Sequence, residues 1–268
     1  MTRPRYVRLQ GARFAAVTEA EAVHRIVDAA ANRSGHWTIT ANLDHLRRYR
    51  REPLVRQMIE DADLVVADGM PLIWASRLAG VPLPERVAGS DMTWSISKAA
   101  NSRDLSIFLL GGDPGVADRA AQVLRDRFEG LEVAGTLCPP MGFEHDAHEL
   151  ERIHERMVET APRIVFVGLG FPKQDLLITR LRSALPGTSF IGVGISLSYV
   201  AGKEQRAPGW SQKLGLEWLY RLVCEPRRLA RRYLLDGLPF AVELFYSAAL
   251  SRLRPEAADA QWGRDSDA

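Results

Sequence analysis

The sequence predicts an α/β protein: a mostly parallel sheet covered on both faces by helices, followed by a basic helical appendage. Three observations carry this. Short apolar runs alternate with helix-length amphipathic segments over most of the chain. Several of those runs exit into glycine-containing turns that open helices. After about Ala201 the strand signal stops, and the chain becomes aromatic, basic and helical.

The elements follow in order. Thr18 and Glu21 form a capping-box pattern that opens a helix to about Ala31. His36–Thr40 is a strand, and helices follow near Leu43–Arg51 and Leu54–Ala62. Leu64–Ala67 is an apolar run closed by Asp68-Gly69, which reads as a buried strand and a turn. Helices are expected over Pro71–Leu78 and Asp91–Asn101. Then come strand Leu105–Leu110, helix Pro114–Phe128, strand Leu131–Gly135 and a helix around His148–Thr160. Strand Ile164–Val167, helix Lys173–Ala184 and strand Phe190–Val193 complete the alternation. The crossovers should be right-handed. Residues 1–200 are expected to form the α/β core and 201–254 the appendage, and the polar, acidic stretch 255–268 is expected to be disordered.

Composition narrows the class. The chain has 268 residues, 46% hydrophobic and 25% charged, enough for a sizeable globular core. Net charge is +2, yet residues 201–254 hold ten Lys/Arg against five Asp/Glu and are net +5. Cys138 and Cys224 are far apart, which argues against a disulfide framework or a zinc site and suits a reducing compartment. The N-terminus lacks the apolar run of a signal peptide. No stretch reaches the roughly 18 apolar residues of a membrane span; the longest tract, Leu238–Leu250, carries Pro239 and Glu243. Membrane contact is therefore expected to be peripheral.

Five features could carry chemistry. Asp68 ends an apolar strand, where open α/β sheets bind ligands, and a carboxylate there can take a proton from a hydroxyl. The same Asp-Gly also serves an Asx-turn or a helix cap. Gly111-Gly112-Asp-Pro-Gly115 leaves a strand for a helix; its backbone N–H groups suit a phosphate, although Asp113 would repel one unless turned away. It is neither a GxGxxG fingerprint nor a P-loop. Gly168-Leu-Gly-Phe-Pro-Lys-Gln174 makes a similar exit, with Lys173 suited to phosphate and Gln174 to a base or sugar. Both exits also fit plain strand-to-helix turns. Thr40 and Asn42 end another strand and face the same rim, where Asn42 also suits a helix cap. Arg221, Arg228 and Arg231 share one face of a continuous helix, a fit for diphosphate, with Pro226 placed to kink it. A solvated helix packed on the domain explains the same charges. Trp210, Trp218, Leu219, Leu222 and Tyr233 suit a lipid–water boundary.

Other signals are weak. The six histidines form no convincing ligand set. Asp61-Ala-Asp63 precedes its strand, at the rim opposite Asp68, and Asp265-Ser-Asp267 lies in the tail. No metal and no cofactor are expected. There is no GxSxG of a serine hydrolase. A dinucleotide oxidoreductase would need GxGxxG with an acid about 20 residues on. A noncatalytic adaptor for membrane or nucleic acid would use the basic tail alone, but the tail matches no nucleic-acid-binding motif.

Taken in order, Asp68-Gly-Met-Pro-Leu-Ile-Trp74, Arg77-Leu78, Arg86-Val-Ala-Gly-Ser-Asp91, Leu110-Gly-Gly-Asp-Pro-Gly115, Gly168–Gln174, Arg206-Ala-Pro208, Gly215-Leu-Glu-Trp-Leu-Tyr-Arg221, Glu225-Pro-Arg-Arg228 and Arg232-Tyr233 form one pattern. It closely resembles the WecG/TagA/CpsF glycosyltransferases, family 26, over about Thr18 to Phe245. The resemblance implies a Rossmann-like core with a C-terminal helical appendage. It implies inverting, metal-independent transfer from a UDP-sugar to a polyprenyl-diphosphate-linked saccharide in teichoic acid or other envelope polysaccharide synthesis. N-acetylmannosamine, its uronate or glucose would be the sugar moved. It implies that Asp68 is the catalytic base, that Thr40, Asn42, Arg86 and Gln174 contact substrate, and that Arg221, Arg228 and Arg231 reach the diphosphate. The appendage would close over the site at an anionic membrane on the inner face of the cell membrane. Homo-oligomers whose assembly competes with that closure are also implied. One departure is visible: the family's Phe-Asp-Phe before Ala-Gly is Leu197-Ser198-Tyr199 here.

Overall fold

The computed structural model describes residues 5–213, 215–253 and 262–263; of Lys213, Arg228, Arg232, Trp262 and Gly263 it describes the backbone alone. The chain forms an N-terminal hairpin, β1 (Tyr6–Leu9) and β2 (Ala12–Ala15), then α1 (Glu19–Ala31), β3 (His36–Ala41), α2 (Leu43–Arg51), α3 (Pro53–Asp61) and β4 (Leu64–Ala67). It continues through α4 (Met70–Leu78), α5 (Gly89–Asn101), β5 (Ile107–Gly111), α6 (Val116–Arg127), β6 (Val133–Leu137) and α7 (Ala147–Thr160). β7 (Ile164–Gly168), α8 (Lys173–Leu181), β8 (Ser189–Gly192) and the short α9 (Ser196–Val200) complete the core.

Six strands form one parallel sheet in the order β4-β3-β8-β7-β5-β6. Their residues are apolar on both sides, as a doubly covered parallel sheet requires. Val65, Phe108, Val165 and Phe190 pack toward one layer with α2, α3, α7 and α8. Leu64, Ile107, Phe166 and Ile191 pack toward the other with α1, α5, α6 and α9. The predicted alternation and the covered sheet are both present, with boundaries moved by one to three residues at most element ends.

Thr18 caps α1 as its spacing predicts: its hydroxyl accepts from the Glu21 N–H at 3.3 Å, and the Glu21 carboxylate accepts from the Thr18 N–H at 2.8 Å. The N-terminal hairpin is not apparent from the sequence. Its two-residue loop, Gln10-Gly11, has φ of 51° and 92°. Both positive values suit a primed hairpin turn, but the pair lacks the Asn-Gly or Asp-Gly signature.

The appendage comprises α10 (Gly209–Lys213), α11 (Glu217–Cys224), α12 (Pro226–Ala230), a π-helical turn over Arg231–Gly237 and α13 (Leu238–Arg252). α13 packs on α4 and α2, with Phe240, Leu244 and Ala248 buried. Helix runs unbroken from Tyr233 to Arg252, through Pro239 and Glu243. By length and composition these 20 residues could cross a membrane, with 22% of their apolar window buried in the protein. That revises the expectation that no stretch reaches spanning length. Pro239 stands two residues after the π-helical turn Arg231–Gly237, where the ordinary helical hydrogen-bond ladder is already interrupted. Within 255–268, Trp262–Gly263 (β9) pairs antiparallel with β1; the rest of that stretch lies outside the described residues.

Candidate active site

The carboxyl ends of β4, β3, β8, β7 and β5 lie side by side, and the residues singled out in the sequence gather there. Asp68 follows β4. Its N–H donates to Ala41 O at 2.8 Å, tying it to the end of β3. The loop before α5 runs past the same strand end, with the Val87 N–H donating to Ala67 O at 3.0 Å. That loop delivers the Gly89 N–H, which donates to Asp68 Oδ2 at 3.2 Å. Asp68 is thus fixed from two sides.

Its charge is set by burial and by the charged groups around it. The carboxyl pKa stands at about 6: burial raises it most, attraction to Arg86, the Gly89 hydrogen bond and Arg206 offset part of that rise, and Glu217 adds to it. Arg86 is half-buried and pairs with Glu217 of α11 at 2.7 Å and with Asp91 at 3.8 Å. Arg206 grips Asp91 with a bidentate fork, one arm at 2.8 Å. Burial alone would raise the Asp91 pKa, but the Arg206 fork, aided by Arg86, holds it below the usual value. Asp91, Arg206 and Glu217 were not assigned roles from sequence. They sit inside the quoted motifs, but only the folded chain brings three distant segments together.

Thr40 is buried, and its hydroxyl donates to Gly192 O at 2.9 Å. Asn42 caps α2 through Oδ1, which accepts from the Asp44 N–H at 3.0 Å and the His45 N–H at 3.4 Å. The capping reading is therefore correct for Asn42, whose Cβ also lies next to Gly69. The His45 and Phe171 rings pack with centroids 3.9 Å apart and planes tilted by 32°.

The two glycine exits are joined. Gly111 has φ of +115°, and a Cβ there would stand 2.5 Å from Gly168 O, so only glycine fits. The Gly112 N–H donates to the same carbonyl at 2.9 Å. That N–H serves the fold, which corrects the expectation that it faces a phosphate. Asp113 is ion-paired with Lys203, so its charge is countered. Lys173 pairs with Glu144 on the loop after β6.

Gln174 departs most from expectation. It is buried, with Oε1 accepting from the Gly194 N–H at 3.1 Å and Nε2 pressed against Gly192. Its amide faces protein, beneath the cleft floor, because the first turn of α8 tucks under the exit of β8.

Of the appendage arginines, Arg221 is half-buried near Tyr199, Tyr233 and Glu217. Burial works against its charge, but those neighbours and Glu225 hold its pKa above the usual value. Arg231 is exposed on the π-helical turn. The Arg228 side chain lies outside the described residues. A separate surface hollow lined by Trp94, Lys98, Val123 and Phe128 contains none of the site residues.

A family model described as the glycosyl transferase WecG/TagA/CpsF family matches residues 7–254. The chain belongs to this family. A Staphylococcus aureus (strain NCTC 8325) relative is 30% identical over 230 residues, covering 84% of this chain and 87% of its own. One from Bacillus spizizenii (strain W23) is 29% identical over 197 residues, 74% of each chain. Both are named N-acetylglucosaminyldiphosphoundecaprenol N-acetyl-beta-D-mannosaminyltransferase. The match extends through the appendage, so α11, with Glu217 on Arg86, lies within the matched region together with the strand ends.

Proposed function

We propose that this glycosyltransferase moves an N-acetylmannosamine-type sugar from a UDP donor to a polyprenyl-diphosphate-linked N-acetylglucosamine, with inversion. The observation that carries this reading is the Asp68 carboxylate, fixed at a strand end among Arg86, Arg206 and the appendage. The names of the relatives supply the acceptor and the sugar class.

The chemistry is one displacement. Asp68 takes the proton of the acceptor hydroxyl. That oxygen attacks the anomeric carbon as its bond to the β-phosphate oxygen breaks, and UDP leaves with the electron pair. A base with a pKa near 6 is mostly ionised at neutral pH yet still basic enough to help. Charge on the leaving diphosphate is balanced by the N-terminus of α6 and by arginines, with Arg221 the nearest appendage candidate. In this reading Thr40 and Arg86 line the sugar site, and Gln174 shapes it from below. Arg228 and Arg231 remain candidates for the lipid diphosphate.

The appendage supports docking on an anionic bilayer. It exposes Trp210, Trp218, Leu219, Val223, Leu234, Leu235, Leu238 and Val242 beside a net +5 charge. A lipid diphosphate stays at the bilayer surface, so the enzyme must work there, and each exposed Lys or Arg adds about 1 kcal/mol near anionic lipid. Incubation with a panel of UDP-sugars and a short-chain polyprenyl-diphosphate N-acetylglucosamine, with and without chelator, tests the whole reading. Product from UDP-N-acetylmannosamine, unchanged by chelator, is expected. No product from any UDP-sugar would overturn it.

A further inference from the structure

A carboxyl group outside the mechanism above lies directly beneath it. Asp175, in the first turn of α8, is fully buried, and neither of its oxygens has a hydrogen-bond partner among the described residues. The indole N–H of Trp37 on β3 is buried and equally unpartnered. Trp37 and the Gln174 amide are the polar side chains that face Asp175, both short of hydrogen-bond geometry. A Cβ on Gly192 would stand 2.4 Å from Gln174 Nε2 and 3.4 Å from Asp175 Oδ1, so amide and carboxyl together cover that glycine.

From there contacts lead to the cleft. Gln174 Oε1 holds the Gly194 N–H at 3.1 Å. Gly192 O holds the Thr40 hydroxyl at 2.9 Å. Thr40 Oγ1 and Val193 Cα flank Gly89, 3.2 and 3.4 Å from where its Cβ would be. The Gly89 N–H holds Asp68.

We infer that Asp175 is a positioning residue for sugar transfer: with Trp37 it sets the Gln174 amide, which holds the Gly192–Gly194 turn against which Thr40, Gly89 and so Asp68 are placed. This rests on the reading of Asp68 as the base. Burial lifts its pKa to about 7 against the Gln174 amide, the Trp37 indole and its own backbone, which pull it down, so the uncharged carboxyl is well populated at neutral pH. A protonated carboxyl presents a carbonyl acceptor to the amide and indole N–H groups. Asparagine presents the same acceptor in the same place. Leucine keeps the volume and removes it.

The test compares the full-length wild type with Asp175→Asn, Asp175→Leu and Asp68→Asn, using UDP-N-acetylmannosamine and the short-chain acceptor. Asp175→Asn should keep kcat within about threefold. Asp175→Leu should melt cooperatively but lose about tenfold or more in kcat, with donor KM changed less than about threefold, because small misplacements of reacting groups cost rate. Unimpaired kcat in Asp175→Leu, or equal damage in both Asp175 variants, would overturn the inference. If Asp175→Leu fails to fold, Gln174→Met reads the same link from its other end. A fall in kcat supports the link, whereas a rise in KM alone would make Gln174 a substrate contact and break it. Full turnover by Asp68→Asn removes the base and this role together. An inactive Asp68→Asn beside an unimpaired Asp175→Leu removes only the latter.

Discussion

Asp68 is held where burial opposes its charge and two arginines favour it, and burial wins, holding the carboxyl pKa at about 6. The catalytic consequence is a rate that rises with pH through about 6 and then levels, measurable as kcat/KM against pH. Asp68→Asn should fold and lose roughly 10²–10⁴-fold in kcat, the usual contribution of a positioned base. Stability carries the same signature with a definite sign. The folded pKa exceeds the unfolded value, so stability from the protonated group is complete below about pH 4 and is lost as pH rises through about 6. Asp68→Asn escapes that loss. Its melting temperature relative to wild type should therefore climb across that window, by the equivalent of up to about 3 kcal/mol, and stay flat above it. Gly192 belongs to the same scale. Gly192→Ala forces a methyl into the Gln174 amide and should cost about 1–3 kcal/mol in chemical denaturation while lowering turnover.

The capped helix α1 shows how an element can be read from sequence and tested apart from the site. Its Thr18–Glu21 box is local, three residues apart, and needs no partner from elsewhere. Thr18→Ala should lower stability by about 1 kcal/mol in urea, seen as a lower midpoint with unchanged slope and unchanged KM. The strands were legible for a similar reason, since apolar runs such as Ile164–Val167 are buried on both faces whichever neighbours they take. The β1–β2 hairpin was not, because Gln10-Gly11 lacks the residue pair that marks such turns. Asn42 and Gln174 illustrate the limit for site residues. Each polar side chain at a strand end fits a rim contact or a structural bond equally well, and its partners, Asp44 for one and Gly194 for the other, decide.

Across the whole molecule, the appendage joins the strand-end cluster around Asp68 to an apolar, basic surface. Glu217 links α11 to Arg86, while α13 anchors the far end on α4 and α2. The exposed face of that arm should bind vesicles containing anionic lipid. Val223→Glu combined with Leu235→Glu should weaken co-sedimentation with such vesicles at least about tenfold while leaving the thermal melt nearly unchanged, since both side chains are exposed. Raising salt from about 0.1 M to 0.5 M should weaken wild-type binding too, because screening shortens the reach of the net +5 arm.

By itself the sequence determined the α/β alternation, the order of the motifs, the family, and Asp68 as the carboxylate to examine. These follow from local periodicity, turn chemistry and residue spacing, which act over a few residues. Tertiary structure alone decided that Asp91 and Glu217 pair with Arg86 while Arg206 grips Asp91, that the Gly112 N–H is taken by Gly168, and that Gln174 and Asp175 lie beneath the floor. Those outcomes depend on which strands become neighbours and which side chains lose water, and burial and charge pairing between segments more than 100 residues apart leave no periodic trace in the chain.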